Sequence, residues 1–162
     1  MSTPFEKVYT AFLDKITDDM YVELTPLDTQ KDIQAILINA IPKFEFPKKS
    51  LNFVKEDFNL ETLKDTSYFL EDLSDEEINI LANLMLIGWL QRQITSIENT
   101  RQKYYGGSFK LTSQANHLKT LISLKEDVLK DDKHLQRLYG RRKVDNNGKI
   151  VSAWSDFNSY KR

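Results

Sequence analysis

Apolar residues recur at helical spacing from the first residues of the chain. Thr3-Pro4-Phe5-Glu6 has the signature of a capping box, with proline at the first helical position. This pattern predicts a first helix that runs to about Thr17. Its apolar stripe consists of Phe5, Val8, Tyr9, Phe12, Leu13 and Ile16.

The same signature at Thr25-Pro26-Leu27-Asp28 predicts a second helix. It must stop before Pro42, because the residue that precedes a proline is disfavoured in a helix. Residues 21–24, between the two helices, favour an extended segment. The stripe of the second helix consists of Ile33, Ile36, Leu37, Ala40 and Ile41.

Ser74-Asp75-Glu76-Glu77 is another capping box and predicts a long helix from Asp75 to about Thr100. The first half of this helix is apolar nearly all round, which is typical of a central helix buried on several sides. The glycine pair in 104–109 predicts a break, after which Thr112 or Ser113 caps a last helix. We expect that helix to bend near Asp131-Asp132 and to end at Gly140.

Two parts of the chain lack helical periodicity. Residues 43–73 predict an irregular insertion pinned by aromatic side chains, with a short helix or hairpin or a contact with another chain inside it. Beyond Gly140, the Asn147-Gly148 pair between two short β-favouring runs predicts a hairpin. The last residues form a polar arm that carries Trp154, Phe157 and Tyr160.

These elements define a mainly α fold. We expect a small bundle of four to five helices over residues 1–140, with a long central helix and the irregular insertion at 43–73. A C-terminal hairpin and extended arm over 141–162 completes the chain. Aromatic residues in a terminal arm indicate that it docks, either on its own bundle or on another chain.

Composition excludes several classes of site. The 162 residues contain no cysteine, which rules out disulfides, a thiolate nucleophile and a cysteine zinc site. No apolar run approaches the roughly 20 residues that a membrane span needs. Charge is divided along the chain: residues 1–80 carry eight Lys and 17 acids, net −9, and residues 81–162 carry 15 bases and seven acids, net +8. Such asymmetry favours head-to-tail self-association or an acidic or anionic partner.

Candidate chemistry is sparse. His117 and His134 are 17 residues apart with no third ligand at metal-site spacing. Adjacent acids such as Asp131-Asp132 are explained by helix starts and breaks, and neighbouring residues on a helix do not face each other as a catalytic pair would. The sequence therefore predicts a protein that is not an enzyme and that has no cofactor and no metal.

A basic cluster lies near the predicted end of the last helix, with Tyr139 beside it. Clustered Arg and Lys with an aromatic side chain can bind and stack on nucleic acid, whereas bases at the end of a helix also complement its dipole. An acidic protein partner is a third possibility that the sequence leaves open. The cluster consists of Lys133, Arg137, Arg141, Arg142, Lys143 and Lys149.

Residues 74–139 carry short motifs that are similar to those of a viral family. These are Asp75-Glu76-Glu77, Leu81-Ala82, Trp89-Leu90, Glu98-Asn99-Thr100-Arg101, Gly107-Ser108-Phe109-Lys110 and Ser113-Gln114-Ala115-Asn116-His117-Leu118. Together with Arg137-Leu138-Tyr139 through Trp154, this run resembles the neck proteins of tailed bacteriophages, in particular the helical head-to-tail connectors, or adaptors. The insertion at 43–73 has no counterpart in that resemblance.

The resemblance implies a structural virion protein of the neck, assembled in the host cytoplasm. It implies a ring of twelve copies beneath the portal, through whose channel the packaged DNA passes without sequence-specific binding. The implied partners are the portal protein, neighbouring copies and further neck or tail-completion proteins, with no membrane. In this family a C-terminal extension often reaches the portal.

The resemblance and the aromatic arm together predict a docking site at the C-terminal end of the chain. We expect it to contact the portal or a neighbouring subunit. A helical nucleic-acid-binding module that uses the basic cluster at 133–149, and a general helical interaction protein, remain alternatives. The predicted docking residues are Arg137, Arg141, Arg142, Lys143, Val144, Ile150, Trp154 and Phe157.

Overall fold

The computed structural model describes residues 2–16, 25–56, 59, 64–103, 108–144 and 150–152. These ranges contain four α-helices and a single 3-10 turn, Ile41–Lys43. The predicted mainly α fold is therefore confirmed. The helices are α1 (Phe5–Leu13), α2 (Pro26–Ala40), α3 (Asp75–Lys103) and α4 (Ser108–Arg141).

Five short strands accompany the helices in the described residues. Strands β1 (Thr3–Pro4), β3 (Tyr68–Phe69) and β2 (Phe53–Val54) form an antiparallel sheet in the order β1-β3-β2. Phe69 in the middle strand lies opposite Thr3 on one side and opposite Phe53 on the other. A separate two-stranded sheet of β4 (Arg142–Val144) and β5 (Ile150–Ser152) is the C-terminal hairpin that the sequence predicts.

Helices α3 and α4 are the longest elements, about 43 and 51 Å at about 1.5 Å per residue. They pack antiparallel along each other. Tyr139, near the end of α4, bonds to Glu77 in the first turn of α3, and Lys125 Nζ donates to Gln91 Oε1 at 2.6 Å further along the pair. The end of α4 therefore lies beside the start of α3.

The core lies where α1, α2 and the three-stranded sheet cover the first part of α3. Phe5 packs against Phe69 and Phe53 with ring centroids 4.8 and 5.5 Å apart, which joins α1 to the sheet. The two terminal nitrogens of the Arg92 guanidinium, Nη1 and Nη2, each bond to the carboxylate of Asp32 at 2.7 Å, which joins α3 to α2. The fully buried side chains of α3 include Ile80, Leu81, Ala82, Met85 and Leu90.

Two of the three predicted caps form, one as a simple N-cap and one as a reciprocal capping box. The Asp28 backbone N–H donates to Thr25 Oγ1 at 3.2 Å at the start of α2. At the start of α3, Ser74 Oγ accepts from the N–H of Glu77 at 3.3 Å, and Glu77 Oε2 accepts from the N–H of Ser74 at 2.8 Å. Both helices begin where the sequence predicts, and α3 runs three residues further, to Lys103.

The capping box predicted at Thr3 is wrong. Thr3 is fully buried in β1, and its hydroxyl oxygen accepts the N–H of Leu73 at 2.7 Å instead of capping α1. Pro4 occupies the N-cap position without a side-chain hydrogen bond. The helix also ends at Leu13, four residues before the predicted end. Pairing with a strand that is distant in sequence thus overrides a local signal.

The last helix also differs from its prediction. It begins at Ser108, ahead of Thr112 and Ser113, and it is continuous through Asp131-Asp132 to Arg141. Asp132 does not mark a break, because its side chain is fully buried and its Oδ2 accepts from Gln136 Nε2 one turn later at 2.6 Å. The helix therefore passes through Asp131-Asp132 without a break.

The insertion at 43–73 contains more order than its sequence predicts. Strands β2 and β3 pair within it, which matches the hairpin expected inside an otherwise irregular stretch. Their pairing with β1 was not predicted. The segments at 17–24 and 104–107, the hairpin turn at 145–149 and the terminal arm at 153–162 lie outside the described residues, as do Trp154 and Phe157.

Candidate functional site

The predicted docking residues within the described part of the chain meet at one end of the bundle. Arg137 and Arg141 are exposed on the last two turns of α4. Arg142 and Lys143 follow directly in β4, and Val144 pairs with Ile150 across the hairpin. This end of the molecule is therefore where the structure brings the sequence-predicted site together.

The hairpin grows directly from α4. The helix ends at Arg141 and β4 begins at Arg142, which lies opposite Ser152, so β5 returns to the end of the helix. In the described residues the hairpin forms a sheet of its own and is not a strand of the β1-β3-β2 sheet. Its position is therefore set by the helix that carries it.

Arg142 is attached to the bundle. Its Nη1 lies 2.9 Å from Oε1 of Glu76 in the first turn of α3, with both side chains partly exposed. A pair of this kind contributes about 0–1 kcal/mol of stability, so its main effect is to orient the start of the hairpin. The sequence assigned Arg142 to docking, and the structure adds an intramolecular partner.

Tyr139 is a core residue and is not available to stack on a nucleic-acid base. Its side chain is 5% exposed, and its hydroxyl donates to Glu77 Oε1 at 2.5 Å and accepts the N–H of Lys48 at 3.3 Å. The Lys48 ammonium lies 4.3 Å from the ring centroid. Burial and the hydrogen bond to Glu77 raise the pKa of Tyr139, so the hydroxyl stays protonated and keeps donating.

Among the described residues, Phe46 is an aromatic side chain exposed at this end, and the sequence prediction missed it. It is 54% exposed and packs on Gly140, with its Cβ 3.5 Å from the place that a Cβ on Gly140 would occupy. Positions 137, 140 and 141 share one helix face, so Phe46 lies beside Arg137 and Arg141. We define Phe46, Arg137 and Arg141 as the basic patch.

A buried polar network holds the loop that carries Phe46. The Glu45 N–H donates to Gln136 Oε1 at 2.8 Å, and Gln136 in turn donates to buried Asp132. Burial raises the pKa of Asp132 and the charge of Glu45 adds to the rise, while hydrogen bonds from Gln136 and Asn83 lower it in part. Two contacts with α4 therefore position Phe46: its neighbour Glu45 bonds to Gln136, and its own side chain packs on Gly140.

A second concave feature is a cleft of about 410 Å³ between α2 and the residues that follow β2. Asp65 in its lining is satisfied internally, whereas the buried Oε1 of Gln30 has no hydrogen-bond partner. Asp65 accepts from the hydroxyl of Tyr9 at 2.5 Å, from Gln34 Nε2 at 3.0 Å and from the N–H of Ser67 at 2.9 Å. Such a carboxylate is already fully engaged as an acceptor and is poorly suited to act as a general base.

The described residues carry neither a metal-binding cluster nor a membrane-spanning helix. Both histidines are exposed on α4, and within this part of the chain no group of three or more His, Asp or Glu side chains could hold a metal ion. Among the described helices none is long and apolar enough to cross a membrane. The end of α4 and the hairpin thus remain the best candidate for a functional surface.

Comparisons with protein-family models, with curated proteins and with solved structures gave no match to this chain. The resemblance to phage connectors therefore stays a prediction from the sequence.

Proposed function

We propose that the chain is a structural neck protein of a tailed bacteriophage, a head-to-tail connector that forms a ring beneath the portal. In this proposal the C-terminal end of the chain docks on the portal protein, and copies of the bundle contact one another around the ring. DNA passes through the channel without sequence-specific binding. The ring has twelve copies, and its location is the neck of the virion.

The observation that carries this proposal is the placement of the hairpin. It extends from the end of the longest helix, and the exposed side chains of Arg137 and Arg141 lie at its base. Arginine is favoured in protein interfaces, since its planar guanidinium makes several directed hydrogen bonds to carboxylates. An exposed aromatic side chain, Phe46, adds the kind of apolar centre around which binding energy concentrates.

The division of charge also supports a ring. Subunits of a cyclic assembly meet through two different faces, because each contact is head-to-tail. A chain with net −9 in its first 80 residues and net +8 in the remainder carries the opposite charges that such faces require. Two ion pairs, Arg92 with Asp32 and Arg142 with Glu76, use part of this charge division within the chain, and the remaining exposed charges are available for assembly.

The nucleic-acid alternative loses part of its support. Tyr139 was the aromatic residue expected to stack on bases, and it is buried against Glu77. The basic side chains that remain could still contact phosphates, and such binding weakens steeply as salt rises. A titration with duplex DNA therefore belongs in the same experiment.

The test measures native mass for the chain alone and after mixing with the portal protein from the same genome. We expect a ring-sized complex only with portal. The double variant Arg137→Glu/Arg141→Glu should weaken that complex at least about tenfold, because it reverses the charge at the base of the hairpin.

The matched control is Lys7→Glu/Lys119→Glu, which changes the net charge equally at two exposed positions away from the hairpin. It should bind portal as the unmodified chain does. Equal weakening by both double variants, or no complex with portal at all, would contradict the proposal. Salt-dependent binding to duplex DNA without portal binding would favour the nucleic-acid module.

A further inference from the structure

An acidic counterpart of the basic patch lies in the turn that joins β3 to α3. Leu70 is 53% exposed there, and it is followed by the exposed side chains of Glu71, Asp72 and Asp75. We define these four residues as the acidic patch. Like the basic patch, it combines a half-exposed apolar side chain with exposed charged side chains that are mainly of one sign. A single opposite charge adjoins each patch: Lys49 bonds to the Asp72 carbonyl, and Glu45 precedes Phe46 in the chain.

Both patches lie at the same end of the bundle. The loop that begins at Phe46 reaches the acidic patch within a few residues: the Lys49 ammonium donates to the carbonyl of Asp72, and the Leu70 N–H donates to the carbonyl of Asn52 at 2.9 Å. Seven residues of chain, 46–52, span at most about 25 Å. These contacts, together with the ion pair between Arg142 and Glu76, place the two patches near each other at this end of the bundle.

We propose that this surface binds a second copy of the chain in a two-fold dimer, with the basic patch of each copy on the acidic patch of the other. Phe46 and Leu70 are the two most exposed large apolar side chains in the described residues. Their burial supplies the apolar part of the contact, and the opposite charges around them fix its register.

The symmetry follows from the placement of the patches. A two-fold interface needs a surface that is complementary to itself, so that one contact and its reverse form together. Adjacent patches of opposite charge satisfy this condition, because rotating one copy by half a turn brings each patch over its complement. The same two patches on opposite sides of the molecule would instead build a chain or a ring.

The dimer would cover Arg137 and Arg141, the residues proposed above for portal docking. It therefore keeps free copies from presenting that surface until the portal displaces the second copy. The dimer itself does not rest on the proposed function, since only the chain's own two patches make it.

The test uses sedimentation equilibrium of the full chain in low salt at concentrations up to about 0.5 mM, which detects dissociation constants in the millimolar range and below. We expect a dimer of the 19.0 kDa chain that weakens as salt rises. The double variants Arg137→Glu/Arg141→Glu and Glu71→Lys/Asp72→Lys should each dimerise at least about tenfold more weakly, because each juxtaposes like charges.

The decisive step is to mix the two double variants. One presents two acidic patches and the other presents two basic patches, so together they should form a heterodimer although each alone is monomeric. Lys7→Glu/Lys119→Glu is the control and should dimerise as the unmodified chain does, and circular dichroism should show native helix content for every variant.

The inference is overturned by a monomer at every concentration, by an assembly larger than two, or by a mixture of the two variants that stays monomeric. Dimerisation that either double variant leaves at its original strength also overturns it. Portal binding separates this result from the proposed function: Glu71→Lys/Asp72→Lys should abolish the dimer and leave binding to portal intact.

Discussion

Glu77 joins the start of α3 to the end of α4 through a single buried side chain. The carboxylate is 1% exposed, with Oε2 accepting from the N–H and the hydroxyl of Ser74 and Oε1 accepting from the hydroxyl of Tyr139. A helix cap and a tertiary contact thus share one residue. Removing any of these donors leaves a buried acceptor without its partner.

We therefore expect Tyr139→Phe to lower the free energy of unfolding by about 1–3 kcal/mol, because it deprives a buried carboxylate of a donor. Urea denaturation followed by circular dichroism measures the change. The matched control is Tyr68→Phe, a half-buried tyrosine in β3 outside this network, which should change stability by less than about 0.5 kcal/mol. Equal effects of the two variants would show that the hydroxyl of Tyr139 has no special role.

Asp132 gives a prediction about pH. Burial raises its pKa in the folded state, so the ionised carboxylate opposes folding once the pH exceeds that raised pKa. The stability that Asp132 contributes is fully present below the pKa that this carboxyl has in the unfolded chain. It is lost as the pH rises through the raised pKa of the folded state. We expect Asp132→Asn to be more stable than the unmodified chain at neutral pH, because an amide can still accept from Gln136 and carries no charge.

Urea midpoints measured between about pH 3 and pH 8 would check this, since the advantage of Asp132→Asn should shrink toward acid. Asp131→Asn is the control, because Asp131 is the exposed neighbour and the charge change is the same. An advantage for Asp132→Asn that grows as the pH falls would contradict the assignment.

The helices show which signals a sequence carries by itself. The caps of α2 and α3 were predictable because donor and acceptor lie within three residues of each other. Thr3 carries the same local pattern, but Leu73, 70 residues away, takes its hydroxyl, and no local pattern contains that information. The start of α4 was also missed, since Ser108 lies ahead of the caps that the sequence offers at Thr112 and Ser113.

Part of the candidate site could likewise be predicted from the sequence, and part of it depends on tertiary contacts. Arg137 and Arg141 could be placed at the end of a helix from charge and periodicity alone. The burial of Tyr139 depends on Glu77, 62 residues earlier, and the exposure of Phe46 depends on its contact with Gly140. Which aromatic residue faces solvent was therefore decided by tertiary contacts that no periodicity records.

Within α3, Gly88 lowers the stability of the helix, and replacing it should raise the stability of the protein. It lies in the interior of the helix where α2 crosses it, and an added Cβ would meet Ile36 Cγ2 at 4.0 Å, an ordinary van der Waals contact. We expect Gly88→Ala to stabilise the protein by about 0.5–1 kcal/mol, since glycine is the poorer helix former. Thermal unfolding would measure it, and a lower melting temperature for Gly88→Ala would mean that the α2–α3 contact cannot take a methyl group.

At the scale of the whole molecule, the charged side chains of the two patches are exposed and lie outside the apolar core. The core under α1, α2 and the sheet is built from aromatic and aliphatic side chains, whereas the two charged patches lie at the end where α4 meets the hairpin. Charge reversals at the patches should therefore change association far more than folding. This separation is what allows the portal and dimer experiments to use the same set of double variants.

The direct junction of α4 with β4 has a mechanical consequence. A pull on the hairpin along the helix axis is transmitted into a helix of 34 residues that lies antiparallel to α3. Two hydrogen bonds, between Tyr139 and Glu77 and between Lys125 and Gln91, are then sheared at the same time. They resist the pull together instead of breaking one after another. Tension at the C-terminal end is thus spread over most of the bundle, while the two-residue strands of the other sheet bear little of it.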